Sequence, residues 1–417
     1  MVATNLRWGT ALARGLKALH EDELPAEVFR VEGECLVVKR HGDTAPIAFR
    51  RAGTPVESAG SLPDLARLLG GWLVRATRAD GRLTYKYWPS RGATATSDNA
   101  VRQMMGSVAL GRYARWSGDG QAAAAARRNL DGQLSRLHEI LSDGSGAIVL
   151  GGSAKLGAAA MAALAIIEDP RGERHEAVLD SLILGIERLW QTDGSFRTFH
   201  FPRERNDNQN FYPGEAALFW AELYARRRDP VVLARLLRTL DHYRDWHRRN
   251  RNPAFVPWHT RAHVALFEAT GMTDRLPFAF EMIDWLLPMQ QWDDAPAPDM
   301  RGRFYDPRHP EYGPPHAAST GAYLEGIAAA ARAARRIGDA TRATRYETAL
   351  ARGFRNIRQL AFADDMDLFQ IARPRLVLGG VRTEVYDNTI RVDNVQHALT
   401  AVLEVLMPPG AMPNANQ

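Results

Sequence analysis

The sequence predicts an all-α fold in which six helical hairpins close into a ring, an (α/α)6 toroid, preceded by a small N-terminal α/β appendage. From residue 62 onward, amphipathic helices alternate with helices that are apolar or small on nearly every side, with a repeat of roughly 50–60 residues. The loops rich in Asp, Asn, Tyr, His and Trp all precede the apolar helices. An amphipathic helix has one wet face and an apolar helix must be buried, so the two kinds form an outer and an inner layer.

Each hairpin pairs one outer helix with one inner helix, as the spacing of apolar residues indicates. The predicted outer helices span residues 62–78, 121–141, 174–191, 231–249, 275–291 and 340–361. The predicted inner helices span residues 100–116, 151–167, 213–225, 258–270, 316–336 and 393–406. An open superhelical solenoid would use the same helices. A closed ring of residues 62–407 is favoured because it brings every loop that precedes an inner helix to one mouth.

The two ends of the chain differ from this repeat. Residues 28–40 are rich in β-branched side chains, and residues 45–50 are a second short strand-like segment that can pair with them. Together with a short N-terminal helix they predict an appendage over residues 1–61. Residues 408–417 are predicted to be an unstructured tail.

Composition excludes several classes of function. The chain has 417 residues, a formal net charge of +5 and one cysteine, Cys35, which allows no intramolecular disulfide and no thiolate metal site. The arginines are scattered along helices, whereas a nucleic-acid-binding surface needs a clustered stripe or motif. Residues 1–20 lack the apolar core of a signal peptide, and no run approaches the ~18 apolar residues of a membrane span. We expect a cytoplasmic protein without nucleic-acid or membrane partners, and the positive excess suits an anionic substrate.

The chemistry-bearing residues recur at one structural position, the start of each inner helix. Aromatic faces pack on sugar rings, amides and carboxylates bond hydroxyl groups, and arginine forks suit a carboxylate. A purely structural ring does not need to enrich these residue types on one rim, so the set predicts a saccharide site. Its members are Tyr87, Trp88, Asn99, Arg102, Lys155, Asn210, Tyr212, Glu215, Trp258, His259, Arg301, Tyr305, Asp306, His316, Asn388, Arg391, Asp393, Asn394 and His397.

Several members also have a plain structural interpretation. Asp98 and Asp393 stand where N-caps of helices stand. His259 and His263 lie one turn apart, which suits either a metal or ordinary helix-face histidines, and no metal or other cofactor is expected. Lys155 opens an apolar helix, so it lies either in a pocket or in a buried ion pair.

One segment resembles a known family. Residues 210–218, NFYPGEAAL, resemble the helix-opening motif in the C-terminal domain of D-glucuronyl C5-epimerases, and residues 154–157, AKLG, are similar to a preceding segment in the same group. The specific part covers about residues 151–225. Turns such as DGSF at residues 193–196 resemble those of (α/α)6 carbohydrate-active enzymes generally, including N-acylglucosamine 2-epimerases and several glycoside hydrolases.

The resemblance implies proton abstraction at C5 of a uronate and reprotonation from the opposite face, with Tyr212 and Glu215 on one side. His259, His316 or Tyr305 would supply the opposite group, and Arg102, Arg391 or Lys155 would hold the sugar carboxylate.

Two other classes of function remain open. A glycoside hydrolase would pair Glu215 with Asp306 or Asp393 as its two carboxyl groups. A non-catalytic toroid that binds a sugar or peptide would keep the aromatic residues without needing an acid and a base.

Overall fold

The helices form two layers because their sequences have two burial patterns. The computed structural model describes residues 35–38, 47–50, 55–169, 171–368, 371 and 373–407. The outer helices are α1 (Leu62–Ala76), α3 (Gly120–Leu137), α5 (Glu176–Leu189), α7 (Pro230–Arg249), α9 (Leu276–Leu286) and α11 (Ala340–Leu360). The inner helices are α2 (Ala100–Ser117), α4 (Leu156–Glu168), α6 (Tyr212–Arg227), α8 (Val256–Thr270), α10 (Ala317–Arg336) and α14 (Val392–Leu406). Two short helices, α12 (Asp365–Leu368) and α13 (Pro374–Val377), lie between α11 and α14.

The contrast between α1 and α4 shows the physical basis of the layers. Helix α1 buries one stripe that includes Leu65, Leu69 and Leu73, while Arg67 on another face is exposed. In α4 every side chain from Leu156 to Ile166 is buried. Apolar area removed from water stabilises the fold by about 25 cal/mol per Å², so α4 is stable only with neighbours on all sides.

The inner helices close into a ring. Each inner helix packs against the next along the chain, from α2 through α4, α6, α8 and α10 to α14, and α14 packs back against α2. This closure confirms the predicted toroid and rules out the open solenoid. In a ring of six, the third and sixth helices, α6 and α14, lie on opposite sides, as do α4 and α10.

Two four-stranded antiparallel sheets cover the face where the inner helices begin, which we call the mouth. One sheet has the strand order β4-β3-β10-β9 and joins the first hairpin to the last. The other has the order β5-β6-β7-β8 and precedes α4 and α6. The strands are β3 (Lys86–Trp88), β4 (Ala93–Thr94), β5 (His138–Ile140), β6 (Gly146–Leu150), β7 (Ser153–Lys155), β8 (Phe199–Phe201), β9 (Arg382–Glu384) and β10 (Asp387–Arg391).

These sheets explain where predicted helix boundaries were wrong. The inner helix predicted over residues 151–167 begins at Leu156, because Ser153–Lys155 pairs with strands on both sides. The outer helix predicted over residues 121–141 ends at Leu137, because the next three residues pair with β6. The backbone N–H and C=O groups of these segments could be paired either in a longer helix or in a strand. The presence of a partner strand decides for the strand.

The helix caps also differ from the sequence-based expectation. Asn99, not Asp98, caps α2, since its side chain accepts a hydrogen bond from the Arg102 backbone N–H at 3.2 Å. Asp393 lies inside the first turn of α14, which has no side-chain cap. Its carboxylate is therefore free for the ion pairs described below.

In the N-terminal segment, strands β1 (Cys35–Val38) and β2 (Ile47–Arg50) pair in antiparallel fashion, with Cys35 opposite Arg50. The predicted N-terminal helix and the predicted tail over residues 408–417 lie outside the described residues, and the division into an appendage and a ring stays a prediction. Within the described chain, no helix combines the length and apolar character needed to cross a membrane.

Candidate active site

Charged side chains at the starts of the neighbouring inner helices α2 and α14 meet at the mouth. Arg102 forms an ion pair with Asp393 at 2.7 Å, and its other guanidinium nitrogen donates to the Tyr85 hydroxyl at 2.6 Å. Arg391 also pairs with Asp393. Burial opposes ionisation of Asp393, but Arg102 and Arg391 outweigh it and lower the pKa of this carboxyl. Asp393 is therefore an ionised carboxylate between two guanidinium groups.

His316 lies at the start of α10 in a defined protonation state. Its Nδ1 accepts a hydrogen bond from the Ser319 backbone N–H at 3.0 Å and so caps the helix. Burial, and then the nearby Arg391, lower the pKa of His316 to about 4, so the ring is neutral at pH 7. A neutral imidazole whose Nδ1 accepts must carry its proton on Nε2. Nε2 has no protein partner among the described residues, so His316 offers an N–H donor to the mouth.

His397, one turn into α14, is oriented in the opposite sense. Its Nδ1 lies 2.7 Å from Oε1 of Glu325, and Oε2 of the same carboxylate accepts from Arg261 at 2.5 Å. A carboxylate only accepts, so Nδ1 of His397 carries a proton, and in the neutral ring Nε2 is the acceptor. Within the described part of the chain Nε2 makes no hydrogen bond. The Trp258 ring lies 5.9 Å away and limits the rotation of the imidazole.

Glu215 in the first turn of α6 is a buried carboxyl without a charge partner. It is 1% exposed, and its Oε2 has no hydrogen-bond partner among the described residues. Burial raises its pKa to about 8, so it is mostly protonated at pH 7. Tyr212 lies beside it, and burial followed by the Glu215 charge raises the pKa of this phenol. Gly157 of α4 makes room for both side chains, because a Cβ there would lie 2.0 Å from Oε2 of Glu215.

Cations line the mouth next to α4. Lys155 precedes α4 and is half-buried, and no carboxylate in the described part of the chain lies within ion-pair distance of it. Burial, then Arg205 and Arg102, lower its pKa. Arg205 itself pairs with Asp207 at 2.7 Å. An unpaired, half-buried ammonium group beside two guanidinium groups favours an anionic ligand.

The structure places some predicted site residues away from this cluster. His259 is fully buried, and its ring lies 3.7 Å from that of Phe255 and 5.4 Å from that of Tyr243 on outer helix α7, so it faces the outer layer. The Asp306 carboxylate accepts two hydrogen bonds from the Arg308 guanidinium of its own loop. Among the described residues, Asp306 and Glu215 form no hydrogen bond, and neither affects the pKa of the other. Tyr305 lies beside Arg303 in the same loop, and Arg301 is half-buried.

Other predicted residues lie near the mouth but have structural contacts. Asn99 caps α2, and the Asn394 amide donates to the Val381 carbonyl at 3.1 Å. Tyr87 is buried under the first sheet, whereas Trp88 on the same strand is half-buried. Asn210 and Asn388 differ from these residues, because their buried side-chain oxygens have no hydrogen-bond partner in the described chain.

Sequence reasoning missed the residues that orient His397. Glu325 is a single acidic residue inside the apolar stretch of α10, and a charge in such a helix is costly unless it is paired. That signal was available in the sequence. Arg205 and Asp207 lie in an exposed loop, where nothing in the local pattern distinguishes them from solvated charges.

Solved structures with this fold include enzymes of several sugar chemistries. The chain is similar to an unsaturated glucuronyl hydrolase specific for heparin, with a TM-score of 0.59 at 10% identity over 82% of this chain and 96% of that chain. It is similar to an α-1,6-mannanase of Salegentibacter sp. HEL1_6 in complex with α-1,6-mannotriose, with a TM-score of 0.61 at 11% identity over 83% and 99% of the two chains. It is also similar to a sugar epimerase from a ruminal bacterium, with a TM-score of 0.59 at 11% identity over 82% and 98%.

At these identities the likeness shows the fold alone, and it agrees with the predicted fold class. No protein-family model matches the chain, and no curated protein matches it. None of the three structures named above is a D-glucuronyl C5-epimerase, so the finer resemblance of residues 210–218 stays a prediction.

Proposed function

We propose that this chain is a carbohydrate-active enzyme that epimerises an anionic sugar by removing a proton from carbon and returning one from the other face. The observation that carries the proposal is the placement of Glu215 and His397. They lie on α6 and α14, on opposite sides of the ring; Glu215 is a protonated carboxyl, and His397 turns Nδ1 to Glu325 and leaves Nε2 without a partner in the described chain. Proton transfer on both faces of one carbon needs an acid and a base that flank it.

The proposed roles follow from the protonation states. His397 accepts the carbon-bound proton at Nε2, and Glu325 stabilises the imidazolium that forms. Glu215, protonated at neutral pH, donates its proton to the opposite face of the carbon. Solvent then restores both groups, because the base has gained one proton and the acid has lost one.

Cationic and donor groups of the mouth suit the charge that develops on the substrate. Removing a proton next to a carboxylate spreads negative charge onto the carboxylate oxygens. In this proposal Lys155 and Arg102 hold those oxygens, and the Nε2–H of His316 is a further donor. Preorganised donors at the site of developing charge are commonly the largest catalytic contribution.

The test is exchange with heavy water. Uronic acids and short uronate-containing chains are incubated with the protein in D₂O, and deuterium at carbon is followed by NMR. We expect incorporation without chain cleavage, and a loss of about 100-fold or more for Glu215→Gln and for His397→Gln. The control is Arg127→Gln on outer helix α3. If the protein binds the sugars without deuterium exchange, and both variants bind them as tightly as wild type does, the chain is a non-catalytic binding toroid instead.

A glycoside hydrolase is the second candidate, because the pKa values of two carboxyl groups at the mouth are pushed apart. Burial keeps Glu215 protonated, and two guanidinium groups keep Asp393 ionised. Such a pair suits an acid and a base or nucleophile. New reducing ends that disappear in Asp393→Asn would favour this candidate over the epimerase.

A further inference from the structure

Strand β3 carries a cationic and aromatic surface beside the proposed active site. Lys86 lies directly opposite Arg391 of β10 in the antiparallel register, so the two side chains share one face of the sheet. Trp88, two residues further along β3, shares that face, and Tyr87 between them is buried on the other. The Lys86 ammonium lies 5.8 Å from the ring centroids of both Tyr85 and Trp88. We call Tyr85, Lys86, Trp88 and Arg91 the Lys86 shelf.

The charges of the Lys86 shelf have no protein counter-ion in the described chain. Like charges directly opposite each other across a strand pair are destabilising. Asp393 neutralises Arg391, but Lys86 has no carboxylate within ion-pair distance among the described residues. The Arg91 guanidinium also lies 5.8 Å from the Trp88 ring centroid. The surface therefore combines unneutralised positive charge with an aromatic face.

The Lys86 shelf is continuous with the catalytic groups. Tyr85 belongs to the shelf, and its hydroxyl accepts from Arg102, which pairs with Asp393. Arg102 also contributes to the lowered pKa of Lys155. Arg102 thus connects the shelf with Asp393 and with the surroundings of Lys155.

The use of lysine is selective. Only four of the 53 basic residues are lysines, and two of these, Lys17 and Lys39, lie outside the described residues. The other two are Lys86 and Lys155, both of which lie on strands at the mouth without a carboxylate partner in the described chain. Several arginines of the described outer helices, in contrast, pair with acidic residues of neighbouring helices, as Arg235 does with Glu187 and Arg248 with Glu281. A ligand with negative charge on successive units would supply the missing partner of each lysine.

We propose that the Lys86 shelf is a second subsite, which binds an acidic sugar unit adjacent to the unit held at Lys155. The substrate is then an acidic oligosaccharide or polysaccharide and not a free monosaccharide. The Trp88 ring packs against a sugar face, and Lys86 pairs with its carboxylate or sulfate group. This inference rests on the proposed function for the identity of the neighbouring site, but the binding it describes needs no turnover.

The test measures binding by titration calorimetry, independently of catalysis. The probes are acidic tetrasaccharides from heparosan and from polygalacturonate, their carboxyl-reduced neutral counterparts, and the single uronic acids. For Lys86→Gln we expect the dissociation constant of a bound acidic tetrasaccharide to rise about fivefold, as for loss of one partly exposed ion pair. Binding of the single uronic acid should not change, and the effect should shrink at high salt. Arg127→Gln on α3 is the matched charge control.

Three outcomes would overturn the inference: failure of both acidic tetrasaccharides to bind, equal binding of the reduced tetrasaccharides, or a Lys86→Gln effect equal for one unit and four. Thermal melting of each variant separates these results from misfolding. If the tetrasaccharide binds through Lys86 but no deuterium exchange occurs, the epimerase proposal fails and the subsite stands. If exchange occurs and Lys86→Gln binds and exchanges the acidic tetrasaccharide as well as wild type does, the subsite fails and the epimerase proposal stands.

Discussion

At the scale of single residues, the chemistry of the mouth is set by which polar atoms have partners. In the described chain Glu215 has no charge partner and stays protonated, whereas Asp393 has two guanidinium partners and stays ionised. His316 and His397 differ in the same way, because a backbone N–H occupies Nδ1 of one and a carboxylate occupies Nδ1 of the other. Identical side chains thus acquire opposite roles from their first hydrogen bond.

The burial of Glu215 makes stability depend on pH. Its pKa is about 8 in the folded chain against 4.5 for a glutamate side chain surrounded by water, so the folded state binds the extra proton between these values. Stability from this group is complete below pH 4.5 and is lost as pH rises towards 8. We therefore expect the stability of Glu215→Gln relative to wild type to increase between pH 5 and pH 8. The increase should be on the order of a few kcal/mol.

Urea unfolding at the two pH values measures this difference. Glu139→Gln, at an exposed position, is the control and should show the same pH dependence as wild type. A Glu215→Gln variant that parallels wild type from pH 5 to pH 8 would mean that Glu215 ionises normally in the folded protein.

In the proposed mechanism Glu325 positions His397 through the hydrogen bond to Nδ1 and does not itself touch the substrate. We expect Glu325→Gln to reduce kcat by about 10- to 100-fold with little change in KM, because the imidazolium loses its carboxylate. The acid limb of the kcat pH profile should move to lower pH, which a merely structural role would not cause. Glu325→Asp should restore part of the activity. An unshifted profile in Glu325→Gln would argue against His397 as the base.

At the scale of elements, small residues decide how closely the inner helices approach. Gly157 lets α4 pack on the first turn of α6, and Gly321 lets α10 pack on α14, where a Cβ would lie 2.9 Å from that of His397. Both glycines are therefore needed at contacts that shape the mouth. A helical glycine costs up to about 1 kcal/mol relative to alanine, so its use inside α4 reflects this packing.

We expect Gly157→Ala to lower the free energy of unfolding by about 1–3 kcal/mol through overpacking, and to reduce activity by displacing Glu215. Gly111→Ala in α2 is the matched control, because no atom of the described residues lies within 4 Å of its added Cβ. That control should gain about 0.5–1 kcal/mol from better helix propensity. Chemical denaturation of both variants measures the contrast. Equal effects at both sites would contradict the close approach of α4 and α6.

At the scale of the whole molecule, buried ion pairs join the far ends of the inner helices. Glu404 of α14 accepts from Arg112 of α2 at 2.7 Å, Arg261 of α8 at 3.0 Å and Arg332 of α10 at 3.1 Å. Burial opposes its ionisation, but these arginines outweigh it and lower the pKa of Glu404. One carboxylate therefore ties four of the six inner helices together across the ring.

Removing that charge leaves three arginines partly unpaired. We expect Glu404→Gln to lower the free energy of unfolding by about 3 kcal/mol, as when one partner of a buried pair is removed. Glu347→Gln, in an exposed pair with Arg335, should change it by less than about 1 kcal/mol. Thermal melting compares the two, and a Glu404→Gln variant as stable as Glu347→Gln would show that the network does not hold the ring.

The candidate site was predictable only in part. The position of Glu215, Lys155, His316 and His397 at the starts of inner helices follows from the repeat, so their convergence could be expected. Their protonation states could not, because these depend on burial and on partners distant in sequence such as Glu325, 72 residues from His397. His259 has the same local pattern as a site residue, yet stacking on Phe255 places it in the core.

The sequence by itself determined the layers of this protein. Apolar periodicity marks which helix faces avoid water, and that local property specified six outer and six inner helices and their order around the ring. Only the tertiary structure decided where strands replace helix ends and which polar atoms keep or lose a partner. These are properties of pairs of residues distant along the chain, and their electrostatic and packing energies exist only after the ring has closed.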